Sequence, residues 1–326
     1  MRSSAPCLLR GGSRGAAAAA RAGYSRIRER RILSLENAMN SFKPIVSVVI
    51  GSLNRREFIE ATIDSIRAEL AMHEREIIVV DGGSDDGTVE WLLSQKDVIT
   101  IVQHNRGVWN DEPIERKSWG YFMNLGFRAA SAPAVCMLSD DCLVIPGAIR
   151  NGLAVLNADE RTGAVAFYWR NWPEQKDYWV GRTFGDRLFV NHGLYRAAAL
   201  RDAAYADAGT YAFYHADGDL AERIIEAGWS CVDSADSFIE HHSHANVAQR
   251  AENLQIAADD WSAYVERWGY LGEPSQDWMV RPYRDPNRTA EAYWGPRPAG
   301  ARARAFGQQV LAAVRSPTNL GRTKDQ

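Results

Sequence analysis

The segment VCMLSDDC, starting at Val135, runs from apolar residues through a serine into two adjacent carboxylates, Asp140 and Asp141. Neighbouring like charges at the end of an apolar strand repel each other and resist desolvation, so a compensating positive group is expected opposite them. A divalent cation held through oxygen ligands, Mn2+ or Mg2+, would supply it. Two other clusters carry related chemistry. HADGDLAERIIEAGW sets Asp217 and Asp219 at the start of a helical pattern whose apolar face is Leu220, Ile224 and Ala227. One acid suffices to cap a helix, which leaves the second for another task. SFIEHHSH carries His241, His242 and His244; on a strand the first two point to opposite faces, so at most one of them reaches a given site. Finally, Asp81 closes the run EIIVVD ahead of the turn GGSDDGT, in which Asp85 and Asp86 read as turn residues.

These groups need a scaffold, and the pattern from Pro44 onward provides one. IVSVVIG is a β-branched strand, Asn54 stands three residues before Glu57 as in a capping box, and Ile59, Ile63, Ile66 and Leu70 recur on one helical face. EIIVVD, the turn GGSDDGT, a helix from Thr88 through Leu93 and the strand VITIV repeat the unit. Such alternation predicts an α/β fold with a mostly parallel sheet covered by helices, whose ligands bind beyond the carboxyl ends of the strands. Asp81 falls at one such end, and Asp140 and Asp141 at another. After Pro146 the composition changes, with aromatic residues crowded in FYWRNWPEQKDYW.

A net charge of −3 gives no electrostatic reason to expect nucleic acid as a partner. The cysteines Cys7, Cys136, Cys142 and Cys231 show neither paired metal spacing nor a disulfide framework, which favours a reducing, cytoplasmic setting. No apolar run approaches the ~18 residues of a membrane-spanning helix. Residues 1–43 read as a disordered or mis-started extension, because Met39 opens MNSFKPIVSVVIG directly before the first strand. Residues 286–326 read as a basic flexible tail. Within it Phe306, Val310, Leu311 and Val314, with Arg302, Arg304 and Arg315, could form a short amphipathic helix in peripheral contact with the inner face of a membrane.

Four segments, in order and spacing, resemble the family 2 glycosyltransferases, whose nucleotide-sugar-binding fold is called GT-A. They are VSVVIGSLNR, EIIVVDGGSDDGT, MNLGFRAASAPAVCMLSDD and ADGDLAERIIEAGW. The resemblance runs from Pro44 to about His244. It implies a Rossmann-like, mostly parallel central sheet with a mixed C-terminal half: residues 44–150 would bind the nucleotide-sugar donor, and residues 151–285 would form the acceptor-binding and catalytic half. Carried over to this chain, it implies that Asp81 hydrogen-bonds the base, that Ser52, Leu53 and Asn54 wall the base pocket, and that Asp140 faces the ribose. Asp141 would hold the metal, with His241 as the best-aligned further ligand and His242 and His244 behind it. Asp217 would be the general base that takes the proton of the acceptor hydroxyl.

Some positions depart from the family pattern. Ser139 replaces the first Asp of the Asp-x-Asp motif, Ala216 replaces the usual Glu, and Gly51-Ser52 stands for Pro-Thr. Met123 occupies a place where relatives often carry a basic residue, which leaves Arg116 or Lys117 as the diphosphate cation. Trp169, Trp172, Tyr178 and Trp179 are candidates to stack on sugar faces, and Asn191 and His192 to contact donor or acceptor. The activity implied is metal-dependent, inverting transfer of a sugar to a glycan or lipid-linked hydroxyl acceptor, in polysaccharide or glycoconjugate assembly. Two other classes compete: a non-catalytic nucleotide-sugar-binding module, and a metal-dependent phosphohydrolase using SDD and HHSH.

Overall fold

The structure is a computed structural model that describes residues 43–242 and 253–296. The N-terminal extension up to residue 42, His244 and the amphipathic segment of the tail lie outside the described residues. No helix among the described residues is long and apolar enough to cross a membrane.

The first strands are β1 (Val46–Ser52), β2 (Arg75–Asp81), β3 (Val98–Val102) and β6 (Ala134–Ser139), with the hairpin β4 (Val108–Trp109) and β5 (Glu112–Pro113) set apart. β1 lies between β2 and β6, and β2 pairs with β3, all in parallel. Both faces of β1 and β2 are buried, as their continuous β-branched runs require. The mixed half follows with β7 (Cys142–Val144), β8 (Thr162–Asn171), β9 (Tyr178–Thr183), β10 (Arg187–Leu188), β11 (Gly193–Arg196), β12 (Ser230–His241) and β13 (Trp278–Arg281). β11 joins the halves, antiparallel to both β6 and β8. β12 runs parallel to β8 and antiparallel to β7.

Helices cover the two faces. α1 (Arg56–Glu69), α2 (Thr88–Ser94) and α4 (Ala148–Ala158) bury Ile59, Ile63, Leu92, Ile149 and Leu153 against Val46, Val48 and Ile50 of β1. On the opposite face α3 (Trp119–Ala129), α5 (Ala197–Asp202) and α6 (Ala216–Glu226) pack Met123, Phe127, Leu200, Leu220 and Ile224 with Val49 and Ile78. The alternation of Val48 and Val49 between the two cores is the period of two expected of a strand. α3 lies so close to β1 that a Cβ added at Gly126 would sit 2.4 Å from Val49 Cγ1. Gly126→Ala should therefore overpack this contact and cost about 1–3 kcal/mol, read as a lower urea midpoint.

Two expectations differ from what is observed. The capping box at Asn54 and Glu57 does not form: Arg55 is the residue before α1, and Asn54 adopts φ 53° with no cap on the helix. The amides at that end are satisfied from the next βα turn instead, Arg56 N donating to Asp86 Oδ2 (3.0 Å) and Arg55 N to Thr88 Oγ1 (3.3 Å). Within the segment expected from residue 286 to be a flexible tail, Thr289–Trp294 forms a helix, α8, whose Ala290 is buried with Leu143 and Trp172. α7 (Ala257–Trp268) precedes β13 and buries Tyr264 and Trp268.

Candidate active site

A cleft of about 440 Å3 opens at the carboxyl ends of β1 and β6. β6 delivers Ser139 to its floor, and the turn into β7 carries Asp140 and Asp141, both buried. The positive group required opposite this pair is Arg55, from the loop after β1. Its Nε lies 3.3 Å from Asp140 Oδ1 and its Nη2 3.7 Å from Asp141 Oδ2. Burial, reinforced by the neighbouring Asp141 charge and opposed by Arg55, pushes the Asp140 carboxyl up to about 7. Burial also works against ionisation of Asp141, but His241 and Arg55 outweigh it and hold that carboxyl below its ordinary value.

His241, at the end of β12, approaches the same carboxylate, with Nε2 3.4 Å from Asp141 Oδ1. Its Nδ1 lies 2.7 Å from Asn171 Oδ1 on β8. With Asn171 as acceptor the Nδ1 proton is fixed and Nε2 faces Asp141, where a protonated ring donates to the carboxylate and a neutral ring offers the lone pair a cation needs. Asp141 Oδ1 is buried and has no hydrogen-bond partner among the described residues. A carboxylate oxygen and an imidazole nitrogen turned toward one another fit a divalent cation as a two-ligand donor set. No group of three or more His, Cys, Asp or Glu side chains able to hold a metal occurs among the described residues. The remaining coordination would come from water and phosphate oxygens, the usual arrangement for Mg2+. His242 turns to the other face and packs between Phe58 and Trp294.

Asp217 lines the cleft from the first turn of α6. Its Oδ2 accepts from Asn191 Nδ2 (2.7 Å) and its Oδ1 from the Gly218 amide (2.9 Å). Asp219 is instead fully buried. It accepts from Trp268 Nε1 (3.0 Å), Tyr211 OH (3.3 Å) and Arg223 Nε (2.7 Å), with Arg267 3.1 Å away. The two acids thus divide their work: Asp219 ties α6 to α7, and Asp217 faces the cleft.

Of the residues expected around the donor, Ser52, Leu53 and Asp140 line the cleft, as do Arg116 and Lys117. Asn54 and Asp81 are not among its lining. Asp81 is fully buried, and the turn it opens engages its carboxylate: Oδ1 accepts from the amides of Gly83 (2.8 Å) and Ser84 (2.7 Å), and Oδ2 from Ser84 Oγ (2.7 Å). Asn54 Oδ1 accepts from the Asp85 amide (3.0 Å), which ties the loop after β1 to the same turn. His192 lines the cleft from a buried position, its Nε2 3.1 Å from Cys142 Sγ and 3.3 Å from Ser139 Oγ. Burial, helped by His241, lowers its imidazole to about 3 and keeps it neutral. Trp169 lines the cleft, whereas Trp172 and Tyr178 are core residues and are not positioned to stack on a ligand there.

Reading the sequence did not single out Arg55, Asn171 or His215, all of which line the cleft. Arg55 had a signal in its place at the carboxyl end of β1. Asn171 had none, because its position depends on the pairing of β8 with β12.

The profile of Glycosyl transferase family 2 matches residues 47–219, more than half of the chain. An uncharacterized glycosyltransferase of Rickettsia typhi is 27% identical over 139 residues, which is 43% of this chain and 40% of the relative. A second, from Rickettsia prowazekii, is 26% identical over the same length. The chain therefore spans about two fifths of the length of these curated relatives. Among solved structures, the mannosyltransferase PcManGT from Pyrobaculum calidifontis, in complex with GDP-Man and Mn2+, is 19% identical. It covers 85% of this chain and 77% of its own, with a TM-score of 0.50. TarS of S. aureus, residues 1–349, is 14% identical and covers 68% and 72%, with a TM-score of 0.47. A doubly covered sheet whose parallel half bears the cleft at its carboxyl edge is thus joined to a profile match that includes every acid of that cleft, and the chain belongs to glycosyl transferase family 2, with the GT-A fold.

Proposed function

We propose that this protein transfers a sugar from a nucleotide-sugar donor to a hydroxyl acceptor, with inversion and with a divalent cation, Mn2+ or Mg2+. One observation carries the reading: a single cleft holds both the Asp141–His241 pair and Asp217, which is kept in place by Asn191 and the Gly218 amide. The likeness to a mannosyltransferase whose structure holds GDP-Man and Mn2+ supports the donor class. In polysaccharide or glycoconjugate assembly, the family's implied setting, the acceptor would be a glycan or lipid-linked hydroxyl.

Each step falls to a residue of the chain. Ser52 and Leu53 flank the base, with Asp81 and Asn54 bracing that wall through the Gly83–Ser84 turn and Asp140 directed to the ribose. Arg116 and Lys117 offer positive charge to the diphosphate. When bound by Asp141 and His241, the cation supplies electrostatic stabilisation of the charge that grows on the leaving nucleoside diphosphate. A hydroxyl is a poor nucleophile until its proton is withdrawn, and Asp217, whose two oxygens already accept hydrogen bonds, takes that proton as the acceptor oxygen attacks the anomeric carbon.

A melting-temperature screen of nucleotide-sugars with and without Mn2+ tests the reading. A ligand present at about 100 times its Kd stabilises the native state by about 2.7 kcal/mol. The expected result is a rise for one donor class that depends on the cation and disappears in Asp141→Asn. If no nucleotide-sugar raises the melting temperature and none releases its nucleoside diphosphate, the assignment is wrong.

A further inference from the structure

A row of aromatic rings leaves the cleft along the sheet. It starts at His241 on β12 and passes through Trp169 on β8, Trp179 on β9 and Trp278 on β13, one ring per strand across neighbouring strands. The ring centroids are 5.9, 6.1 and 4.7 Å apart in turn. Trp169 and Trp179 are directly paired and stack at 16°, and Trp278 meets Trp179 edge-on at 64°. Register keeps them on one face. Val280 pairs with Trp179 and Trp278 with Gly181, and residues two apart on a strand point the same way. Gly181 leaves room for this arrangement, since a Cβ there would lie 3.2 Å from the Trp278 ring. Trp179 Nε1 donates to Gln175 Oε1 (2.8 Å), which fixes the indole.

Exposure rises along the row. Trp169 and Trp179 are half-buried, Trp278 is 40% exposed and Val280 is 56% exposed. A core cluster would bury its rings more deeply at the end away from the solvent, and would not begin on the lining of a catalytic cleft. The strip is one ring wide, and strands about 4.8 Å apart make the stretch from β8 to β13 roughly 10 Å long. Sugar rings have flat C–H faces and polar edges, so a narrow aromatic strip complements a saccharide chain laid along it.

On the transferase reading, we propose that Trp169, Trp179 and Trp278 form an extended acceptor subsite for an oligosaccharide chain, so that the acceptor is a glycan of several sugars whose growing end lies in the cleft.

Wild-type protein is titrated with neutral linear oligosaccharides of glucose, mannose, N-acetylglucosamine and xylose, graded from monosaccharide upward, with tryptophan fluorescence and calorimetry as readouts. Affinity for at least one series is expected to rise with chain length. Trp278→Ala should weaken the longer chains about tenfold. Trp278→Leu, which keeps apolar bulk on the strand, should behave like the alanine variant, and Trp278→Phe should bind like the wild type. Circular dichroism checks that each variant is folded, and the leucine and phenylalanine variants decide the matter if the alanine variant is not. The subsite is overturned if no series binds, if affinity is independent of length, or if Trp278→Leu binds as the wild type does. Nucleotide-sugar binding by the wild type is measured separately: a protein that takes up donor without any length dependence loses only the subsite, whereas one that takes up no donor loses the transferase reading and the subsite with it.

Discussion

Asp217→Asn is expected to lower the turnover of sugar transfer about a hundred- to ten-thousand-fold while nucleotide-sugar affinity is retained. The range is that of a positioned general base, and it corresponds to about 2.7–5.4 kcal/mol of transition-state stabilisation. The substitution removes basicity without removing shape. An amide oxygen at residue 217 can still accept from the Gly218 amide, and a flip of the Asn191 amide restores the second contact, so the first turn of α6 keeps its geometry. Asp219, which holds α6 to α7, is untouched. The loss should therefore fall on kcat, measured as nucleoside diphosphate released in the presence of acceptor, with the donor Kd read by calorimetry. Turnover equal to wild type would remove Asp217 from the chemistry.

Arg170→Met should cost about 3–5 kcal/mol of stability, a large share of the roughly 5–15 kcal/mol that holds a domain together. Arg170 donates through Nε (2.8 Å) and Nη2 (2.7 Å) to the two oxygens of Glu240, which is fully buried and also accepts from Tyr178 OH. Removing the guanidinium strands a carboxylate away from water. The penalty arises from that stranded charge, so Arg170→Met combined with Glu240→Leu should recover most of it. Urea unfolding reads both variants, the single one as a fall in midpoint at unchanged slope. A single variant within about 1 kcal/mol of wild type would contradict the argument. The pair also matters for the cleft. Arg170 and Glu240 face each other across β8 and β12, one residue from Asn171 and His241, so their ion pair holds the register that brings those two side chains together.

The parts of the molecule written in local pattern were legible from the residues alone. β1, β2 and β3 follow from β-branched runs, α2 from the stretch after GGSDDGT, and the face of α1 from the spacing of Ile59, Ile63 and Ile66. The opposite orientations of His241 and His242 followed from the period of a strand. What stayed hidden depends on contacts between distant segments. Asn54 had the spacing of a capping box, but the turn after β2 draws its side chain away. Asp81 reads as an acceptor at a strand end; only the folded turn reveals that Gly83 and Ser84 engage it. Arg55 stands beside another arginine in the sequence, and nothing local distinguishes the one that reaches both acids from Arg56, which pairs with Glu60.

The way α1 is closed at its start bears on the order in which the chain assembles. The Arg56 amide waits for Asp86, 30 residues downstream, and the Arg55 amide for Thr88. During synthesis the first βα unit emerges with these donors answered only by water, and a short isolated helix is marginal in that state. Docking of β2 brings the missing acceptors in one step, so the leading edge of the sheet becomes cooperative only when its second repeat has left the ribosome.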